Sequence, residues 1–443
     1  MSNFEGKNLV SGQHFYQPPR EATHKNLSNL HSDPEGRDWN SIIAKECYIP
    51  QIRRGTLDHA SFDFYATTRR KIKDFAPTEW AKLKEAMRKR GVGDSFLHVL
   101  IPDLSKRDKR ILIKAGYNAF TKDAGIEPQW FWAPETALDN NSLEVLAEVG
   151  YQGVLCAPEQ LSSSGRDIDN RPVRISLESG HTILVLPFDK PFSQSLAFDK
   201  KDNADTYTRD IIIPRISNLP KSIPLIGWTD GETFGHHHKC ADEFLNYLLT
   251  ESLPNFGIAV LGLNDIQNIW QASDYGQGKL IERTAWSCPH GNLARWNGVC
   301  PCDGGYNGGW KSHFASAFRG LNNQIDAVLD KELGASWADS LVDNFSQAFY
   351  YQGSANSELS LLAAKASALG AQISCGTFFS NPNTSGRINV MFARQAIENL
   401  RDANYKNLAD KLGLELRVKL AQGMDPFTGK NLTELYSDLL YEE

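Results

Sequence analysis

Short apolar runs alternate with segments of helical periodicity from the N-terminus to about residue 263. The apolar runs predict strands at 95–101, 128–135, 153–157, 182–188, 224–229 and 257–263. The segments between them predict helices, among which the clearest are 78–90, 106–121, 141–149 and 240–249. This alternation is typical of a parallel sheet wrapped by helices, and the number of units favours an α/β barrel.

The pattern changes after about residue 310. Apolar residues then recur at helical spacing, at Phe314, Phe318, Leu321, Ile325 and Val328, and further helices are predicted at 359–373 and 388–400. No strand is predicted after Leu263. We therefore expect three parts: an α/β barrel over 1–280, a Cys- and His-containing junction over 281–310, and a helical domain over 311–443.

Composition excludes several classes of partner. Lys and Arg number 47 against 53 Asp and Glu, for a net charge of −6, which argues against a nucleic-acid-binding surface. No uninterrupted apolar run is long enough to span a bilayer, and residues 1–13 lack the apolar core of a signal peptide. The seven cysteines are odd in number and mostly scattered, unlike a secreted disulfide framework. We expect a cytoplasmic protein with no membrane partner, and the sequence leaves the oligomeric state open.

Two carboxylates follow predicted strands at positions suited to catalysis. The stretch I-G-W-T-D-G-E-T-F-G-H-H-H-K at 226–239 places Asp230 at the end of one strand, and P-Q-W-F-W-A-P-E at 128–135 places Glu135 at the end of another. Because the C-terminal ends of barrel strands converge, these two residues are expected to face each other. Two facing carboxylates can cleave a glycosidic bond. Taken singly, each could equally cap the helix that follows it.

Aromatic and polar residues near these acids are candidate sugar contacts. Trp132 and Trp228 flank the two acids, and sugar rings stack on such side chains, although ordinary core packing is the alternative. His14 and Gln17 lie near the first strand, where a sugar-hydroxyl contact becomes plausible only if the acids are catalytic.

Two histidine-containing clusters raise the question of a metal. Consecutive histidines at 236–238 rarely all point at one ion, so they are a weak metal motif. Cys288, His290, Cys300 and Cys302 supply three thiolates and an imidazole, a legitimate set for a structural zinc, with a group of buried thiols as the alternative.

Three short motifs resemble those of glycoside hydrolase family 57. They are H-F-Y-Q-P at 14–18, W-A-P-E at 132–135 and D-G-E-T-F-G-H at 230–236. The resemblance extends over nearly the whole chain and is strongest to an uncharacterised subgroup with a helical C-terminal region. That subgroup has stretches similar to A-W-S-C-P-H-G at 285–291 and S-C-G-T-F-F at 374–379.

The chain departs from the family pattern at a few positions. Tyr16 stands where many members have a second histidine, and His237 and His238 replace two tryptophans. The family's second motif is the least clear, and the stretch around His98 and Pro102 resembles the subgroup's version of it.

The resemblance implies a fold and a mechanism. The fold would be an incomplete, seven-stranded (β/α) barrel, here followed by an α-helical C-terminal domain. Glu135 would be the nucleophile and Asp230 the acid/base of a retaining enzyme that acts on oligo- or polysaccharides, most simply α-glucans, without a cofactor for the chemistry. Substrate contacts would come from a further set: His14, Gln17, His98, Trp132, Trp228, Glu232 and His236.

Two alternatives stay open from the sequence. The same barrel could serve as a catalytically inactive glycan-binding or regulatory protein, as the departures at Tyr16 and His237–His238 would allow. A metal-dependent carbohydrate deacetylase using Asp230, Glu232 and the histidines is the third possibility.

Overall fold

The computed structural model describes residues 4–20, 38–163, 170–303, 308–351, 353 and 355–440. Its strands are β1 (Lys7–Phe15), β2 (Ser61–Phe64), β3 (Gly91–Val92), β4 (Trp130–Phe131), β5 (Gly153–Cys156), β6 (Leu161–Ser163), β7 (Val173–Ser176), β8 (Thr182–Pro187), β9 (Leu225–Asp230), β10 (Ile258–Val260) and β11 (Gly278–Leu280).

Helices follow most of the strands and make up nearly all of the C-terminal part. They are α1 (Trp39–Ile43), α2 (Ile49–Arg54), α3 (Ala66–Phe75), α4 (Pro77–Arg90), α5 (Lys106–Ala124), α6 (Asn140–Val149), α7 (Lys190–Phe198), α8 (Ala204–Tyr207), α9 (Ile213–Ile216), α10 (Ala241–Tyr247), α11 (Leu253–Asn255), α12 (Ala294–Asn297), α13 (Gly309–Leu333), α14 (Trp337–Phe349), α15 (Ser357–Gly370), α16 (Cys375–Phe378), α17 (Pro382–Asp402), α18 (Lys406–Leu420), α19 (Leu432–Leu435) and α20 (Ser437–Leu440). None of the helices that the structure describes is long and apolar enough to cross a membrane.

Parallel pairing organises the strands into two main sheets. In the first, β1 pairs in parallel with β9, with β10 and with β2, and β2 continues to β3. In the second, β4, β5 and β8 are parallel and β7 is added antiparallel to β8. The strands β2, β5 and β9 are almost wholly buried, as expected for a parallel sheet covered by helices. The predicted α/β fold with a parallel sheet is therefore confirmed.

The two sheets adjoin at both of their edges without forming a continuous ladder. At one edge, a single parallel bridge joins Gly93 to Phe131. At the other, the Asp189 amide donates to the Ile226 carbonyl over 2.8 Å. The two main sheets therefore stay separate, and a closed barrel is not seen among the described strands.

Two strand predictions were wrong. Residues 95–101 do not form a strand: the Ser95 hydroxyl donates to the Leu97 carbonyl and the segment bends beneath α5, with only Val99 making an isolated bridge to Ile373. A strand also occurs after Leu263, since β11 pairs antiparallel with β6. Its Gly-Lys-Leu sequence is too short and polar to show strand periodicity.

The helical part shares one hydrophobic core with the α/β part. Phe314 and Trp337 of this region belong to the same buried cluster as Phe131 and Val185 of the sheet. The bounds predicted at residues 280 and 310 stay a prediction, because this core runs across them. The packing fixes the segment that follows α15 and leads into α16. This matters for function because the segment reaches the site described below.

A buried ion network also holds the helical part in place. The Lys365 ammonium in α15 lies 2.7 Å from Asp108 of α5 and 2.5 Å from Asp326 of α13, and it donates to Asn322 over 2.8 Å. Because a buried charge is stable only when it is paired and hydrogen-bonded, this contact fixes how α15 sits against the α/β part.

Candidate active site

One cavity of about 690 Å³ opens at the C-terminal ends of β1, β4 and β9. Its lining is acidic, aromatic and imidazole-rich, and the residues most relevant to chemistry are His14, Tyr16, Gln17, His98, Glu135, Trp228, Asp230, Glu232, His237, Trp286, Ser287, Arg295, Cys375, Phe378 and Phe379. A cavity of this size with a few convergent polar groups is typical of a ligand site.

Glu135 sits on a strained turn just beyond β4. Its backbone has φ of 57° and that of Thr136 has φ of 54°, so two consecutive residues with side chains occupy the left-handed region. Such a conformation costs on the order of 1–3 kcal/mol per residue and persists only when its surroundings enforce it. The strain places the Glu135 side chain in the cavity, where burial raises the pKa of its carboxyl.

Gln160, which is fully buried, enforces this turn. Its amide nitrogen donates to the carbonyls of Thr136, at 2.8 Å, and Thr284, at 2.9 Å. Its amide oxygen accepts from the Thr136 hydroxyl, at 2.7 Å, and the Ala157 amide, at 2.9 Å. One side chain thus ties the turn that carries Glu135 to the ends of two other segments.

We expect Gln160→Ala to weaken both the fold and the reaction. Three buried backbone groups would lose their partner, so the free energy of unfolding should fall by about 3 kcal/mol. The turn would relax, and kcat should fall more than KM rises because Glu135 would be misplaced rather than removed. Urea titration and steady-state kinetics measure the two effects. The exposed Gln152 provides a matched control, since Gln152→Ala should change stability by less than about 0.5 kcal/mol.

Two segments distant in sequence contact the Glu135 carboxylate. Trp286 donates from its indole nitrogen to Glu135 Oε2 over 3.2 Å, and its backbone amide donates to the Glu135 carbonyl. Ser374, which precedes α16, lies 3.4 Å from Glu135 Oε1 and 2.7 Å from His98 Nδ1. These donors orient the carboxylate, and the Trp286 bond lowers its pKa against the larger effect of burial.

Asp230 ends β9 directly beside the end of β1. In the parallel register, His14 pairs with Asp230 and Gly12 pairs with Trp228. A Cβ atom at Gly12 would lie 1.8 Å from the Trp228 ring, so only glycine lets this tryptophan lie flat over β1. The Asp230 side chain faces the open cavity and is surrounded by protein on its other sides. The resulting desolvation raises the pKa of its carboxyl.

His14 supplies a buried positive charge near the acids. Its Nδ1 lies 2.7 Å from Asp63 Oδ2. Burial alone would lower the pKa of His14, but Asp63, Asp230 and Glu232 together raise it to about 9. Burial raises the pKa of Asp63 to about 6, against the opposing effect of His14. Near neutral pH the two therefore form an ion pair.

Glu232 lines the same cavity as Asp230 and has hydrogen-bond partners of its own. Its carboxylate accepts from the Tyr48 hydroxyl and lies 3.4 Å from the Gln17 amide nitrogen. Burial, followed by the charge of Asp230, raises the pKa of Glu232 to about 7. The hydrogen bond from Tyr48 fixes the position of this side chain.

The structure brings most of the sequence-predicted residues together. His14, Gln17, His98, Glu135, Trp228, Asp230 and Glu232 all line the cavity. Trp132 does not: it is fully buried and stacks on Trp228, with ring centroids 5.0 Å apart, so it supports the cavity wall from behind. The binding roles themselves stay predictions.

The three consecutive histidines lie in three different environments. His236 Nδ1 lies 2.7 Å from Glu46 outside the cavity lining, His237 lines the cavity, and His238 Nε2 lies 3.1 Å from the Ala197 carbonyl. Within the described ranges, the residues whose ligand atoms converge as a metal site would require are Cys288, His290, Cys300 and Cys302, all within 4.8 Å of one another. The geometry therefore does not gather Asp230, Glu232 and the histidines around one ion.

Several residues of the site were not predicted from the sequence. Asp63, Tyr48 and Gln160 lie in segments without any motif, and their side-chain partners are 24 to 184 positions away. Trp286 and Ser374 offered a signal, since both lie in the motif-like stretches at 285–291 and 374–379.

Comparisons with known proteins show which family and which solved structures the chain is similar to. The family model for glycosyl hydrolase family 57 matches residues 45–275. No curated protein sequence matches the chain. Among solved structures, an exo-type maltose-forming amylase from Pyrococcus sp. ST04 is 17% identical, with a TM-score of 0.74, and the alignment covers 94% of this chain and 83% of that one.

Two other solved structures are also similar in fold. The branching enzyme from Pyrococcus horikoshii is 13% identical, with a TM-score of 0.66 and coverage of 98% of this chain and 94% of that chain. The 4-α-glucanotransferase from Thermococcus litoralis is 16% identical, with a TM-score of 0.60 and coverage of 90% and 60% respectively. Since the family model matches more than half of its residues, the chain belongs to glycosyl hydrolase family 57.

Proposed function

We propose that this protein is a retaining glycoside hydrolase or transglycosylase that acts on α-linked glucans. The observation that carries the proposal is that Glu135, on the turn after β4, and Asp230, at the end of β9, line one cavity although they are 95 positions apart. Family membership supports glycosidic-bond chemistry. The similar structures are named for maltose-forming amylase, branching and 4-α-glucanotransferase activities, which supports an α-glucan as the substrate.

In the proposed first step, Asp230 protonates the glycosidic oxygen while Glu135 attacks the anomeric carbon. The bond to the leaving sugar breaks, a glycosyl ester forms on Glu135, and the proton leaves with the sugar hydroxyl. In the second step Asp230 removes a proton from water or from an acceptor sugar hydroxyl, which attacks the anomeric carbon and releases Glu135. The same two groups thus serve hydrolysis and transfer.

The surroundings of each acid suit its role. Trp286 and Ser374 hold the two Glu135 oxygens, which favours a fixed nucleophile. Asp230 accepts no such bond from a described side chain and faces the cavity, so its proton is free to move. Burial raises the pKa of Asp230, as an acid that must stay protonated requires.

His14 gives the site a further electrostatic element. Its imidazolium, paired with Asp63, offsets some of the negative charge that Glu135, Asp230 and Glu232 bring together. We infer that it also donates from its second ring nitrogen to a substrate hydroxyl, since the ring lines the cavity and Nδ1 is already engaged.

We infer that the two sheets are the two segments of an incomplete barrel. The parallel strands β9, β1, β2, β3, β4, β5 and β8 follow one another around the cavity, with the Gly93–Phe131 bridge and the Asp189–Ile226 hydrogen bond at the two junctions. This number of strands agrees with the seven-stranded barrel that the family resemblance implies.

Trapping the covalent intermediate tests the proposal. Intact-protein mass spectrometry after incubation with 5-fluoro-α-glucosyl fluoride should show one added fluoroglucosyl group, located by peptide mapping on Glu135. The α-galactosyl analogue, used in parallel, identifies the preferred sugar. Folded protein that forms no adduct with either donor, and releases no product from maltooligosaccharides, would contradict the proposal and favour a glycan-binding role.

A further inference from the structure

Four potential metal ligands converge beside the cavity wall. Cys288 lies in a tight turn where its backbone exchanges two hydrogen bonds with Ala285, His290 follows it, and Cys300 and Cys302 come after α12. His290 Nδ1 lies 3.6 Å from Cys288 Sγ and 3.4 Å from each of Cys300 Sγ and Cys302 Sγ. Cys288 Sγ and Cys300 Sγ are 3.5 Å apart.

These spacings fit one tetrahedral zinc ion. With Zn–S bonds of about 2.3 Å and Zn–N bonds of about 2.0–2.1 Å, the edges of a ZnS₃N tetrahedron are about 3.5–3.8 Å long. A disulfide between Cys288 and Cys300 would instead need an S–S distance of about 2.05 Å. Because the protein supplies all four ligands, the site would be closed and structural rather than catalytic.

The segment that holds this cluster has little regular secondary structure. It contains one four-residue helix, α12, and its buried cluster is small. Three residues with side chains, Arg283, Asn292 and Leu293, occupy the left-handed region, with φ of 58°, 62° and 51°. Strain of this kind persists only when the surroundings enforce it, and a bound metal would add its binding free energy to the contacts that do so.

The same segment builds one wall of the cavity. Trp286, two residues before Cys288, donates to Glu135 through its indole nitrogen. Arg295, between His290 and Cys300, lines the cavity and places its guanidinium 3.7 Å from the centre of the Phe378 ring. The ligand cluster therefore lies within a few residues of both groups.

We propose that Cys288, His290, Cys300 and Cys302 bind one structural Zn²⁺ that holds Trp286 and Arg295 in place at the cavity. The thiolates lose their protons on binding, and His290 binds through Nδ1 as the neutral imidazole. The ion does not touch the substrate. The effect on turnover rests on the proposed glycosidase function, whereas the metal site itself does not.

Metal analysis of the whole chain tests the site independently of activity. Protein from zinc-supplemented medium should contain one zinc per chain by plasma mass spectrometry and in the native mass spectrum. Cys302→Ser, at a half-buried position, should lose most of it, and Cys240→Ser, at an exposed cysteine outside the cluster, should retain it. Zinc-free folded protein, iron in place of zinc, or a Cys288–Cys300 disulfide in the intact mass would each overturn the site.

Chelation tests the link to the cavity wall. Removing the ion from the wild type should increase hydrogen exchange in residues 281–303 and lower kcat more than it raises KM, and zinc should restore both. If the zinc is present but its removal leaves exchange and kcat unchanged, the positioning role is wrong. If no variant or form of the protein shows activity, the exchange data still decide whether the ion orders this segment.

Discussion

Glu135→Gln should reduce turnover of α-glucans by more than about 10⁴-fold while leaving the fold intact. The amide is nearly isosteric with the carboxylate and can keep its contacts with Trp286 and Ser374, but it cannot form the glycosyl ester. Losses of this size are typical when a covalent nucleophile is removed. Steady-state kinetics on maltooligosaccharides, with far-UV circular dichroism and a urea titration, separate lost chemistry from lost stability.

The chain offers a matched control for this variant. The sequence A-P-E occurs twice, at 133–135 after β4 and at 157–159 after the neighbouring strand β5. Glu159 does not line the cavity, although its partner Lys190 does, so Glu159→Gln removes the same charge close to the cavity without changing the contacts of Glu135. It should keep a kcat close to that of the wild type. Wild-type activity in Glu135→Gln would exclude Glu135 as the nucleophile.

The strand-end acids were predictable because they depend on local sequence and on a general rule. An apolar run identifies a buried strand, and parallel strands bring their C-terminal ends to one edge. Both Glu135 and Asp230 therefore appear in one cavity, as the sequence suggested. The helical C-terminal part was predictable for a similar reason, since the apolar spacing around Phe314 and Ile325 is strongly periodic.

The partners of these acids could not be predicted, since they depend on register and loop path. The pairing of His14 with Asp63 follows from the register of β1 and β2, which no single strand sequence specifies. The hydrogen bonds of Gln160 converge on a turn whose left-handed backbone has no sequence signal, because neither Glu135 nor Thr136 is a glycine.

The wrong strand prediction at residues 95–101 has a physical cause. Residues 95–101 are apolar enough for a strand, but their apolar side chains pack beneath α5 and against the helical part, with Phe96 touching Phe345. These apolar side chains are buried by tertiary packing rather than by pairing with a neighbouring strand, as the apolar pattern had suggested. The bend exposes His98 to the cavity, where Tyr16 stacks on it with ring centroids 4.2 Å apart.

Asp230→Asn should lower kcat by about 10²–10⁴-fold on natural glucans, because it removes the group that protonates the leaving oxygen and later activates water. An activated donor such as α-glucosyl fluoride needs no protonation, so formation of the intermediate on Glu135 should be nearly normal and its hydrolysis slow. The covalent adduct should therefore accumulate. Azide, which needs no general base, should restore turnover and yield the α-glucosyl azide of a retaining reaction.

The dependence of kcat/KM on pH provides a second test of the role of Asp230. In the wild type, kcat/KM should rise as Glu135 ionises and fall as Asp230 loses its proton, and both limbs should lie above the usual carboxyl range because burial raises both pKa values. Asp230→Asn should abolish the falling limb and keep the rising one, since only the acid has been removed. Asp210→Asn makes the same chemical change at an exposed surface position and should leave both limbs in place. If the falling limb persists in Asp230→Asn, the acid is another group, and Glu232, with its pKa raised to about 7, becomes the next residue to replace.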